Sequence, residues 1–247
     1  METEARNATI IETSAPAPTP AERYARVAGP LHTISVLLIL GAWAFVGKMD
    51  AALSSSHIRL YLSSILAEWL VFAFVAVGVW RSTGSLPMIL GKPWRSARQL
   101  LRDCGVAAAF WVVSIILLAI LGLLLRVASQ GRDILFLLPH GVLESALWIA
   151  VSVTAGICEE TIFRGYLQSQ FIALTKNVPA GVLLSAVAFG AVHAYQGWRR
   201  MIVIGLYGLL FGILARWRGT VRPGMIAHAW QDSLTGLLAT FIKSPPV

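Results

Sequence analysis

Three short blocks in the last third of the chain place acids, imidazoles and one guanidinium at helical spacing. They read Glu159-Glu160-x-x-x-Arg164, Phe189-x-x-x-His193 and His228-x-x-x-Asp232. Side chains of these types suit general acid–base chemistry on a water molecule, or the holding of a metal ion. Of twelve carboxylates, five (Glu68, Glu144, Glu159, Glu160 and Asp232) lie in stretches otherwise apolar enough to span a bilayer. An ionisable group at that depth costs roughly 2.5 to 3.5 kcal/mol, so it faces a partner or a polar cavity.

On a helix, residues four apart share a face, so Glu160 and Arg164 pair while Glu159 points about 100° away. Arg164 then neutralises and orients Glu160, and Glu159 faces whatever cavity the helices enclose, placed to take and return a proton. His228 and Asp232 share a face in the same way, as do Phe189 and His193. Two mechanisms fit. In one, Glu159 and His193 bind and deprotonate a water that attacks a peptide carbonyl, with His228 and Asp232 beside the developing oxyanion. In the other, a zinc ion held by Glu159, His193 and His228 activates that water. The chain has no His-Glu-x-x-His signature, and no local spacing compels a metal, so the cofactor is none or zinc.

The elements that must carry these groups are membrane helices. The 247 residues are 57% hydrophobic and 13% charged, against about 25% charged in a soluble domain. Seven apolar runs approach the ~20 residues a spanning helix needs: about 31–47, 60–80, 105–125, 142–163, 179–197, 200–217 and 223–242. The expected fold is an all-α polytopic bundle of about seven spans over residues 30–247, preceded by a disordered polar tail, 1–29, with alternating Pro16, Pro18 and Pro20. No apolar core precedes residue 30, so no cleavable signal peptide is expected.

The net charge of +8 does not point to nucleic acid, because Lys and Arg cluster in loops between apolar runs, where they set topology. Twelve fall on the side of the N-terminus and seven (Lys48, Arg59, Arg126, Arg132, Arg199, Arg200 and Lys243) on the other. That bias predicts a cytoplasmic N-terminus. Arg95, Arg98 and Arg102 form either an interfacial amphipathic helix or a basic flank of the third span. Cys104 and Cys158 are read as small buried apolar groups, and Gly208 and Gly212 as a close helix contact. Glu68 and Glu144 either line the same cavity as Glu159 or, for Glu144, serve a helix start. Tyr195, Gln196 and Trp198 either shape its entrance or anchor at the interface.

The blocks Glu159-Glu160-Thr161-Ile162-Phe163-Arg164, Phe189-Gly190-Ala191-Val192-His193 and His228-Ala229-Trp230-Gln231-Asp232 resemble those of the CPBP family of intramembrane proteases. That family includes type II CAAX prenyl endopeptidases and bacterial bacteriocin-processing and immunity proteins. The resemblance covers roughly residues 142–243 and implies an endopeptidase in which Glu159 and His193 activate water while His228 and the residue at 232 stabilise the oxyanion. Glu160, Arg164 and Phe189 are supporting. Members have been described both as metalloproteases and as glutamate-type enzymes. The family pattern commonly has Asn where this chain has Asp232. An anionic Asp cannot donate a hydrogen bond, so Asp232 must be protonated, orient His228 or bind a metal.

The expected partners are membrane lipid and a peptide, prenylated or membrane-anchored substrate, in the bacterial cytoplasmic membrane. A catalytically silent scaffold or immunity-type binding protein is the alternative. A proton-coupled transporter would show paired broken helices in two related halves, and no such repeat is present. One geometric conflict stands out. At 1.5 Å per residue, His193 lies roughly 21 Å into its run and His228 about 9 Å into its own, entered from the same side.

Overall fold

The structure, a computed structural model, describes residues 25–53, 56–127 and 138–242. Its regular elements are all helical: α1 Pro30–Leu53, α2 His57–Thr83, a single turn Pro87–Leu90, α3 Ala97–Leu124, α4 Gly141–Glu159, a π-helical segment Glu160–Leu167, α5 Gln168–Thr175, α6 Val178–Val192, a 3₁₀ turn Ala194–Gln196, α7 Trp198–Arg218 and α8 Arg222–Ile242. Each of the seven apolar runs is helical. Four helical stretches are long and apolar enough to cross a membrane, namely His57–Thr83, Ala97–Leu124, Gly141–Thr175 and Trp198–Arg218. The expected all-α membrane bundle is therefore observed. Residues 1–24, most of the expected polar tail, lie outside the described residues.

The fourth run is longer than its apolar stretch suggests. Polar residues from Glu159 to Gln170 interrupt the hydropathy, yet the helix continues through the π segment into α5, giving one rod from Gly141 to Thr175. All eight residues of the π segment are buried. A helix buried all round can carry polar side chains when each finds a partner inside the bundle.

This rod resolves the depth conflict. α6 returns along its C-terminal end: Gly181 packs directly on Ile172, and Ser185 Oγ donates to the Phe163 carbonyl at 2.6 Å. α8 meets the rod much higher. Gly224 lies beside the Glu160 carboxyl, and a Cβ at Gly156 would stand 2.7 Å from the Met225 carbonyl and 3.0 Å from the Ala229 nitrogen. The two helices thus start at different levels, so a histidine capping the end of α6 and one early in α8 reach the same layer. The small-residue contact expected of α7 is also present: a Cβ at Gly208 would stand 2.8 Å from the Phe189 ring, and one at Gly212 would stand 2.9 Å from Val182.

α3 starts at Ala97, capped by Ser96, whose hydroxyl accepts from the Gln99 nitrogen. Arg98 and Arg102 therefore form a basic flank continuous with the third span rather than a separate interfacial helix. Asp103, buried in that first stretch, accepts from Trp94 Nε1 at 2.8 Å and pairs with Arg218 at 3.1 Å, tying α3 to the end of α7. At the N-terminal end, Val27 and Ala28 are buried. Gln170 fixes them, its Oε1 accepting from the Val27 nitrogen at 2.9 Å and its Nε2 donating to the Ala28 carbonyl at 2.9 Å.

Candidate active site

The junction of α4 and the π segment splits the two adjacent glutamates as the helical spacing predicts. Glu160 turns inward, where its Oε1 accepts from Arg164 Nη1 at 2.8 Å, with both side chains only 1% exposed. Arg164 lies against the Phe189 ring, 4.1 Å from its centroid, and 5.1 Å from that of Phe211. An ion pair so deeply buried is worth keeping only when its geometry is good and further bonds satisfy it.

The further bond comes from a residue that spacing could not supply. His228 Nδ1–H donates to the same Glu160 oxygen at 3.0 Å. A carboxylate only accepts, so this contact places a proton on Nδ1 and directs Nε2 outward. Nε2 stands 3.7 Å from Glu159 Oε2 and 3.4 Å from Asp232 Oδ2. Sequence reasoning gave His228 to Asp232 and Glu160 to Arg164. It missed the Glu160–His228 bond, which joins residues 68 apart. No local signal in the chain could have revealed it.

Phe189 organises the remaining histidine. Its ring lies 4.9 Å from the His193 ring and 6.2 Å from the His228 ring, and its carbonyl accepts from His193 Nδ1 at 2.8 Å. A carbonyl cannot donate, so the proton is on Nδ1 and the lone pair of His193 is at Nε2. The His228 ring stacks on Phe211, with centroids 5.4 Å apart. The polar groups are therefore held by an aromatic frame from two helices, α6 and α7.

Glu159, His193 and Asp232 line one cavity of about 580 Å³. Its other walls come from α1 and α2, including Trp43, Tyr61 and Glu68, and from Trp148 of α4. Glu159 and Asp232 keep 19% and 39% of their side-chain surface exposed. Tyr195 and Gln196, after His193, line the cavity as well. Glu68, one of two carboxylates with an open role, is thus on the cavity wall, and its Oε2 is buried without a hydrogen-bond partner. Glu144 is elsewhere. It sits in the first turn of α4, accepts from the His140 nitrogen at 2.7 Å and pairs with His57 at 2.9 Å, which is the helix-start role. Cys158 is fully buried, in a packing role.

Zinc requires at least three converging protein ligands. Among the described residues no three His, Cys, Asp or Glu side chains form such a group. Nδ1 of each site histidine is committed, one to Glu160 and one to the Phe189 carbonyl, which leaves Nε2 as the only ring nitrogen of each that could ligate. Glu159, His193 and His228 are not drawn together into such a group.

No curated protein and no solved structure gives a significant match to the chain. Residues 141–234 match the family model described as type II CAAX prenyl endopeptidase Rce1-like. The matched segment runs from the start of α4 into α8 and contains Glu159, Glu160, Arg164, Phe189, His193, His228 and Asp232; α1, α2 and α3 lie outside it. Over residues 141–234, then, this membrane helical bundle is similar to the type II CAAX prenyl endopeptidases, and the likeness to CPBP intramembrane proteases carried by its three blocks holds.

Proposed function

We propose that the protein is an intramembrane endopeptidase that hydrolyses a peptide bond in a membrane-associated or prenylated substrate, with water activated by Glu159 and His193. The observation that carries this reading is the convergence of Glu159, His193 and Asp232 on one cavity, with His228 Nε2 3.7 Å from Glu159. A water between Glu159 and His193 gives its proton to Glu159 as its oxygen attacks the substrate carbonyl. His193 Nε2 accepts a hydrogen bond from the second O–H, which stays on the attacking oxygen, and so fixes the direction of attack. The tetrahedral oxyanion takes a hydrogen bond from the Nε2–H of His228 in its doubly protonated form, which keeps Nδ1–H on Glu160, and another from Asp232 in its protonated form. Glu159 then returns its proton to the leaving amine, which completes hydrolysis without net proton change. Glu160 and Arg164 hold His228 in the orientation this requires.

The test is cleavage of internally quenched and membrane-anchored peptides by purified protein in lipid nanodiscs. Glu159→Gln is expected to lower the rate by about 10² to 10⁴, the usual contribution of a general base. Unchanged cleavage in that variant would sink the assignment. The same assay with a chelator, followed by zinc add-back, reads metal dependence separately. Peptide binding without any cleavage by the wild type would favour the binding-protein alternative.

A further inference from the structure

Glu68 is the one cavity carboxylate that no hydrogen bond or ion pair ties to the described bundle; His228 attracts it only from a distance, and Glu159 and Asp232 repel it. Glu159 and Asp232 each face His228 Nε2, while Glu160 has Arg164 and His228, and Glu144 has His57. No hydrogen bond or ion pair reaches Glu68 from the described residues, and its Oε2 is buried. The described walls of the cavity include no Lys and no Arg, although Glu68, Glu159 and Asp232 all line it. Much of the remaining lining is apolar or aromatic, with Trp43, Tyr61, Trp148 and Tyr195 among it. A carboxyl group left bare against apolar walls is costly, and an arriving cation removes that cost. Aromatic rings beside a carboxylate also suit an ammonium or guanidinium group.

We propose that Glu68 is a specificity-determining residue, and that it takes the cationic side chain of a Lys or Arg in the substrate peptide. The inference rests on the reading that a peptide substrate occupies this cavity. At about 580 Å³ the cavity has room for a few side chains. Glu68 belongs to α2, outside the matched residues 141–234, so the basic-residue preference comes from the part of the chain that the family likeness does not cover. The catalytic groups and the selecting group thus come from different helices across one space.

The test measures binding, so it does not depend on turnover. The full chain carrying Glu159→Gln, in nanodiscs, is titrated with a fluorescent apolar peptide bearing a single Lys and with its norleucine twin. The Lys peptide is expected to bind at least about tenfold more tightly, a ratio equal to ~1.4 kcal/mol. In the double variant Glu159→Gln, Glu68→Gln the two peptides are expected to bind alike, while Glu68→Asp keeps the preference. Equal binding before Glu68 is changed, no binding of either peptide, or a preference that survives Glu68→Gln overturns the proposal. Thermal melting checks that each variant folds; if Glu68→Gln does not, the comparison of the twins on the parent decides alone. Cleavage of the same two peptides by the wild type against Glu159→Gln tests the protease reading independently.

Discussion

One oxygen of Glu160 joins two cations' worth of donors, Arg164 at 2.8 Å and His228 at 3.0 Å, in a site with almost no solvent access. Glu160→Gln leaves Arg164 as an uncompensated buried charge, which costs about 3–5 kcal/mol. The expected result is a lower melting temperature together with lost cleavage, because His228 loses its orienting acceptor. Full stability of that variant would show that the pair is not holding the bundle. Asp232 is a different case, since its side chain is part exposed and only 3.4 Å from His228. Asp232→Asn supplies an N–H donor toward the oxyanion and is expected to retain cleavage, whereas Asp232→Ala is expected to lose about 10²-fold. A ranking of kcat/KM with Ala equal to Asn would remove residue 232 from the oxyanion side. At this scale spacing revealed the Glu160–Arg164 pair, because four residues on a helix share a face. The bond to His228 was hidden by its 68-residue separation.

The rod from Gly141 to Thr175 is the element against which the site is measured, and its π segment sits where Glu160 and Arg164 must both turn inward. π segments inside helices are frequently found at functional positions. Hydropathy placed the end of this span near residue 163 because it scores side chains singly and cannot see that Gln168 and Gln170 bond to other parts of the bundle. Gln168 Nε2 donates to the Gly212 carbonyl and Gln170 to the N-terminal segment. Close approach of α8 depends on Gly156, where even a Cβ would stand 2.7 Å from the Met225 carbonyl. Gly156→Leu is expected to push α8 away, costing about 1–3 kcal/mol by overpacking. Thermal unfolding in detergent checks the loss, and cleavage is expected to fall with it, since His228 and Asp232 ride on α8.

At the scale of the whole molecule, α1 and α2 close a cavity whose candidate groups lie on α4, just after α6 and on α8, and Gln170 fastens the entry to α1 onto α5. Gln170→Ala removes four bonds made to Val27, Ala28 and Thr33. It is expected to raise amide hydrogen exchange across residues 27–33 while leaving α7 protected. The excess of Lys and Arg on the side of the N-terminus predicts that this side is cytoplasmic. With Cys104 and Cys158 replaced by Ala, Arg98→Cys is expected to react with an impermeant maleimide in inverted vesicles and not in intact cells; the reverse pattern would invert the topology. The sequence by itself determined the helical membrane architecture and the division of Glu159 from Glu160. Hydropathy and four-residue spacing are local quantities that a chain states in order. Only the tertiary structure decided that His228 belongs to Glu160, that α6 and α8 enter at different heights, and that Glu68 shares one cavity with Glu159 and Asp232. Those facts depend on which helices pack together and at what level, and close packing at Gly156, Gly181 and Gly224 sets that register.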